Sequence, residues 1–182
     1  MPQEKISYEE IRSKKVEEYG TQFKDWIWIL VKQYKDRTHF LFELLQNAED
    51  AKATSVRLIL EKDMLIIEHN GILFSKDDVV SITKVAKSTK GAGGAGSIGR
   101  FGIGFKSVYA YASTPKIYSG DYAFEIRDFI YPYEIHHIDL DHDWTRIEIP
   151  FNNGEIEPQK AFGEIHRALR EQIRSDTLLF TG

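Results

Sequence analysis

No cysteine occurs in the 182 residues, which excludes a disulfide framework and any cysteine-ligated metal centre and leaves compartment unreadable from thiols. No run of 18 apolar residues occurs either, and the opening MPQEKISYEE lacks the apolar core of a signal peptide. The expectation is therefore a cytoplasmic or otherwise soluble intracellular protein without a membrane partner. Positive charge is not in excess: the formal net charge is −4 and the pI about 5.9, so no global field holds a nucleic-acid backbone. Neither an internal repeat nor a GxxxxGK[ST] phosphate loop is present. What the chain does have is apolar mass, 42% hydrophobic and 13% aromatic, enough for one substantial core. Residues 1–182 are expected to form a single domain.

Ser7 with Glu10 is a capping-box pattern opening a first helix that Gly20 ends. Phe23, Trp26, Ile27, Leu30 and Val31 carry an apolar stripe up to Tyr34, and Thr38 is the expected cap of the helix bearing Glu43. Val56 to Leu60 and Met64 to Glu68, split by Glu61, Lys62 and Asp63, read as a hairpin. Ser75 and Asp78 cap a short helix through Ile82. Residues 86–98 are polar and glycine-rich, which predicts a mobile segment. A helix is expected over Phe105 to Tyr111, then strands over Lys116 to Ser119, Tyr122 to Arg127, Tyr133 to His137 and Thr145 to Pro150. Asn152 to Gly154 breaks the chain before a last helix over Ala161 to Ile173. This order implies an α+β fold, an antiparallel or mixed sheet covered by helices.

Two segments carry chemistry. In FELLQNAEDA, Glu43, Asn47 and Asp50 share one stripe at roughly 100° per residue. Charges on one face usually mean a solvated face, but Phe40, Leu44, Ala48 and Ala51 flank this stripe and set it at the margin of the core. Polar groups there need partners. An amide oxygen beside carboxylates suits Mg²⁺, with Asn47 the direct ligand, and Glu43 is placed to take a proton from a water attacking a γ-phosphate. The second segment, GRFGIGFKS, puts Gly99, Gly102 and Gly104 before the expected helix, where bare backbone N–H groups meet an anion. Glycines there also serve a tight turn or close packing.

Together the two segments resemble the GHKL ATPases, a family that includes the ninety-kilodalton heat-shock chaperones, the gyrase B subunit, MutL proteins and histidine kinases. The resemblance spans most of Thr38 to Pro150, and ELLQNAEDA, AKSTK, GRFGIGFKSVY and YSGD look most like the sacsin-type and heat-shock-chaperone-like branch. It implies a Bergerat-type two-layer α/β sandwich that binds ATP and Mg²⁺, with residues 86–98 as a mobile ATP lid. Glu43 is then the general base and Asn47 the magnesium ligand, with Asp50 and Ala51 in the same box. Lys87, Ser88 and Thr89 belong to the lid, and Gly99, Arg100, Phe101, Gly102, Ile103, Gly104 and Phe105 wrap the phosphates. Lys106 is the best placed of Lys87, Lys90 and Lys106 to add positive charge, and Thr145 in WTRIEIP resembles the late-strand threonine near the adenine.

The chain departs from the family where relatives carry Asp-x-Gly-x-Gly: here stand His69, Asn70, Gly71, Ile72 and Leu73. Gly71 matches the glycine that lets the base approach. A neutral His69 would accept from the adenine amino group through its unprotonated nitrogen, less strongly than a carboxylate, or it is a satisfied core histidine. His39, His136, His137, His142 and His166 show no metal-ligand spacing and are assigned no catalytic role. The resemblance implies Mg-dependent ATP binding and slow hydrolysis that drives conformational change or dimerisation of a longer protein, of which this is the N-terminal part. The expected partners are a nucleotide, further domains of the same protein or a second copy. The alternatives are a nucleotide-binding switch or a degenerate scaffold without hydrolysis; a phosphotransfer kinase, sharing the fold, lacks a phosphoacceptor helix here.

Overall fold

The computed structural model describes residues 7–19, 36–84 and 104–174, with side chains through Glu171. The expected stripe from Phe23 to Tyr34, the segment 86–98 and the turn 99–103 lie outside the described residues. Within them the chain is a mixed α+β fold built on one six-stranded sheet, antiparallel at every pairing.

Helix α1, Tyr8–Tyr19, starts where Ser7 Oγ accepts from the Glu10 N–H at 3.2 Å. Its buried residues Tyr8, Ile11 and Lys15 recur at helical spacing, and the Tyr8 ring packs on Phe124. A 3₁₀ turn, Arg37–His39, leads straight into α2, Phe40–Asp50. Thr38 does not cap α2, whose N-cap position is His39 without a side-chain bond; Asp36 caps the preceding 3₁₀ turn, its carboxylate accepting from both the backbone N–H (2.8 Å) and the hydroxyl (2.7 Å) of Thr38. The carboxylate thus takes up the Thr38 hydroxyl, which is no longer free to cap α2. Helix α2 buries Phe40, Leu41, Leu44, Leu45, Asn47 and Ala48.

Strands β1, Val56–Leu60, and β2, Met64–His69, form the expected hairpin, and β6, Thr145–Pro150, pairs with β2 along its length. With β3 (Lys116–Ser119), β4 (Tyr122–Arg127) and β5 (Tyr131–Glu134), the order across the sheet is β1-β2-β6-β3-β4-β5. The expected fifth strand was Tyr133 to His137; the observed strand starts two residues earlier and ends three residues earlier. Proline at 132 is tolerated because β5 is an edge, where a missing N–H faces no neighbour, and its carbonyl accepts from Arg12 Nη1 at 2.8 Å.

Side chains alternate across this sheet. One face, with Leu65 and Ile67 of β2, Ile147 and Ile149 of β6, Ile117 of β3, and Phe124 and Ile126 of β4, joins the helices in a single core. Each of these side chains contributes on the order of 1.5–3 kcal/mol of burial. The other face carries a charge ladder: Glu68 between Arg57 (3.5 Å) and Arg146 (3.2 Å), and Glu148 between Arg146 (2.9 Å) and Lys116 (3.7 Å). Glu68 thus points away from His69, as strand alternation requires.

The capping box at Ser75 and Asp78 is reciprocal and opens α3, Lys76–Ile82. The expected helix after the glycines is a 3₁₀ helix instead, Gly104–Ala110. Ser107 Oγ donates to the Gly104 carbonyl at 2.5 Å, a three-residue closure that matches the tighter winding. Its far end is taken up by the 152–154 turn: Asn153 Nδ2 donates to the Ala110 carbonyl at 2.6 Å, and the Asn152 N–H to the Tyr111 carbonyl at 3.1 Å. Helix α4, Pro158–Arg174, begins three residues before the expected start, with proline at its first position where no N–H is needed. No helix among the described residues is long and apolar enough to cross a membrane.

Candidate functional site

The inner face of α2 and the ends of β2 and β6 bring several of the expected residues together. Asn47 is 3% exposed, and its Nδ2 is buried with no hydrogen-bond partner among the described residues. Leaving a buried donor unmade costs about 1–3 kcal/mol, so this amide carries an unmet need for an acceptor that the described residues do not fill. One turn earlier, Glu43 Oε1 lies 3.1 Å from His39 Nε2. A Cβ placed on Gly104 would stand 1.8 Å from Glu43 Oε2, so the start of the 3₁₀ helix lies directly against that carboxylate and a side chain there would displace it. Glu43, Asn47 and Gly104 are therefore one locus. Its chemistry is a carboxylate engaged by an imidazole beside an amide with an unused donor.

A second contact chain runs from this locus to the sheet. The α2 helix ends at Ala51, whose N–H donates to the Asn47 carbonyl at 3.0 Å, and whose own carbonyl accepts from the Ile72 N–H at 2.7 Å. Gly71 is pressed against that cap: an added Cβ would lie 2.7 Å from the Ala51 carbonyl oxygen. The Gly71 N–H donates to His69 Nδ1 at 3.2 Å. His69 is 2% exposed and faces Thr145 across the β2–β6 pairing. Thr145 Oγ1 lies 2.6 Å from Ser119 Oγ, which also accepts from the Phe74 N–H at 2.9 Å. Ala51, His69, Gly71 and Thr145 are thus neighbours, joined to Asn47 through the end of α2.

Other expected residues go elsewhere. Asp50 is exposed at the last position of α2. Phe105 is fully buried in the core. Lys106 corrects an expectation: instead of extending toward an anion it is 5% exposed, and its Nζ donates to the carbonyls of Ile82 (2.8 Å) and Phe129 (2.6 Å). Burial, with Lys15 close by, pushes its ammonium down to about 7. Lys15 donates to the Thr83 carbonyl at 2.6 Å, so two lysines close the C-terminal end of α3, whose carbonyls have no partner inside the helix. Lys87, Ser88, Thr89, Gly99, Arg100, Phe101, Gly102 and Ile103 lie outside the described residues. Sequence reasoning missed His39 and Ser119. The i, i+4 spacing of His39 and Glu43 was the available signal for the first; Ser119 had none, since only strand pairing puts it beside Thr145.

A layer of helices packed on one face of an antiparallel sheet, with a polar, partly unsatisfied locus where α2 meets the strand ends, defines the class. Residues 64–170 match the Sacsin domain family, and the chain belongs to it. It is similar to Sacsin of Homo sapiens, 34% identical over an alignment of 114 positions that covers 53% of this chain and 2% of that protein. It is similar also to Protein NO VEIN of Arabidopsis thaliana, 35% identical over 97 residues, 50% of this chain and 4% of that protein. A third similarity is to the ATPase MORC2B of Mus musculus, 38% identical over 82 residues, 38% of this chain and 8% of that one. The chain spans only a few per cent of the length of these relatives.

Proposed function

We propose that this chain is a GHKL-type, Bergerat-fold domain that binds ATP with Mg²⁺ and hydrolyses it slowly, in the service of conformational change or dimerisation of a larger protein. The observation that carries the reading is the buried Asn47 amide, one helical turn from Glu43, whose Nδ2 has no partner among the described residues. Similarity to a protein named as an ATPase supports it.

The residues present fit the metal and the nucleotide. An asparagine supplies a hard carbonyl oxygen for a cation and an N–H for an acceptor oxygen, and here that N–H has no partner among the described residues. Bound magnesium supplies positive charge that neutralises phosphate oxygens as charge builds on them. Asn47 holds the metal, and Glu43 takes the proton of the attacking water on its carboxylate. His39 Nε2, 3.1 Å from Glu43 Oε1, holds that carboxylate in one orientation. Ala51, Gly71, His69 and Thr145 take the base, where the glycine's missing side chain leaves backbone room.

Calorimetric titration with Mg·ATP tests the reading. Binding is expected for the unaltered chain and for Glu43→Ala, and is expected to fall at least about tenfold in Asn47→Ala. Hydrolysis is expected to disappear in Glu43→Ala, since loss of a general base costs about 10²–10⁴-fold. Folded protein that binds no nucleotide would sink the proposal.

A further inference from the structure

We infer that the cavity between the β3–β4 turn and the connection from β5 to β6 binds an organic cation, a quaternary alkylammonium of about the size of choline. The cavity measures about 570 Å³, the scale of a small-molecule site. Glu43, Asn47, His69, Gly71 and Thr145 do not line it, so it is separate from the locus on α2.

Its buried surface is aromatic. Tyr8, Tyr118 and Tyr122 line it and are 8%, 7% and 9% exposed, and the half-buried Trp144 joins them. The hydroxyls of Tyr118 and Tyr122 have no hydrogen-bond partner among the described residues. Burial raises all three phenols above their ordinary range; the Glu134 charge adds to this at Tyr8, and the Asp121 charge at Tyr122. The rings therefore stay neutral in a negative surrounding field.

That field has a visible source. Three of the exposed lining residues are acidic, Asp121, Glu134 and Asp141, and none has an ion pair among the described residues. On the charge-ladder face, by contrast, Glu68 and Glu148 both have basic partners. No lysine or arginine lines the cavity; Lys76 is felt at Tyr122, with Asp78 opposing it, but stands outside. His137 and His142 line it too, yet no group of three or more histidine and acidic side chains among the described residues could hold a metal ion. A metal ion or a primary ammonium needs acceptors that converge on it. A quaternary ammonium has no N–H to satisfy, and aromatic faces with diffuse negative charge are what it needs.

The frame is set by the backbone. Ser119 pairs with Tyr122 across a two-residue turn in which Gly120 takes φ +57°, and this fixes where Asp121 stands. The Ile135 N–H donates to the Ala123 carbonyl at 3.1 Å and holds the chain leaving Glu134 beside β4. Trp144 already stacks one cation, the Arg57 guanidinium, 4.0 Å from its ring centroid.

The test is calorimetric titration of the 182-residue chain with choline and with the neutral alcohol in which carbon replaces the ammonium nitrogen. Choline is expected to bind with a Kd below about 1 mM, and the alcohol at least about tenfold more weakly. Weaker binding of choline overturns the inference, and so does an alcohol that binds within tenfold of it. Asp121→Asn with Glu134→Gln keeps the side-chain volumes and removes two charges, and is expected to weaken choline at least about threefold. A folded double variant of unchanged affinity refutes the charge recognition. Saturating Mg·ATP is expected to leave choline binding as it was; competition between the two would give the cavity to the nucleotide and sink the separate site.

Discussion

Asn47 and Lys106 are both polar side chains sunk into this protein, 3% and 5% exposed, yet their surroundings are opposite. Lys106 Nζ reaches the carbonyls of Ile82 and Phe129 and closes the end of a helix. Asn47 Nδ2 has no partner among the described residues. Desolvation penalises both, and only one recovers the loss inside the protein. The difference separates a buried group whose hydrogen bonds are made inside the fold from one whose donor has no partner among the described residues.

Breaking Lys106 has the largest expected effect. Lys106→Ala leaves two carbonyls without donors and an unfilled volume, and is expected to destabilise the chain by about 3 kcal/mol or more, read from urea unfolding. A loss under about 1 kcal/mol would mean that Lys106 is not structural.

The same lysine makes stability depend on pH. Its folded pKa is lowered to about 7 from 10.5, so between those values the unfolded chain holds a proton that the folded chain has released. Stability therefore rises with pH through this window, at up to about 1.4 kcal/mol per pH unit from this one group. Lys15, lowered to about 8, acts in the same direction from there upward. Tyr109 and Tyr111, raised by burial, oppose the trend only above the ordinary tyrosine range. Urea midpoints at pH 7, 8 and 9 are expected to climb, and Lys106→Met to flatten the climb.

The smallest effect sharpens the contrast most. Asn47→Leu, close in volume, removes an unpaired donor and is expected to leave the nucleotide-free chain as stable as before or more so, by up to about 1 kcal/mol. Nucleotide binding is expected to be lost in the same variant. Marked destabilisation would show that the amide has a structural partner.

Much of this was legible along the chain, and what was not follows from distance. The hairpin β1–β2, strand β6 and the Ser75–Asp78 box rest on neighbours within a few residues, and they appear where local patterning puts them. The stripe from Glu43 to Asn47 was legible for the same reason: helical periodicity set it at the core margin. Lys106, placed by the resemblance beside the phosphates, goes to the fold instead because its carbonyl partners lie 24 and 23 residues away, out of reach of local patterning. The edge strand β5 was displaced because proline reads as a strand breaker until the strand is known to lack a neighbour on one side. His39 was passed over because its histidine was judged as a metal ligand, not as the partner of an acid one turn on.

The winding of residues Gly104–Ala110 has a metric consequence. Seven residues at the 3₁₀ rise of about 2.0 Å reach some 3 Å farther than the same residues at the α-helical rise of about 1.5 Å. One end of this strut is fixed on Asn152 and Asn153; the other ends in Gly104, against the Glu43 carboxylate. The pitch of a single short segment thus acts as a spacer gauge, setting where Gly104 stands against Glu43 from an anchor at the 152–154 turn.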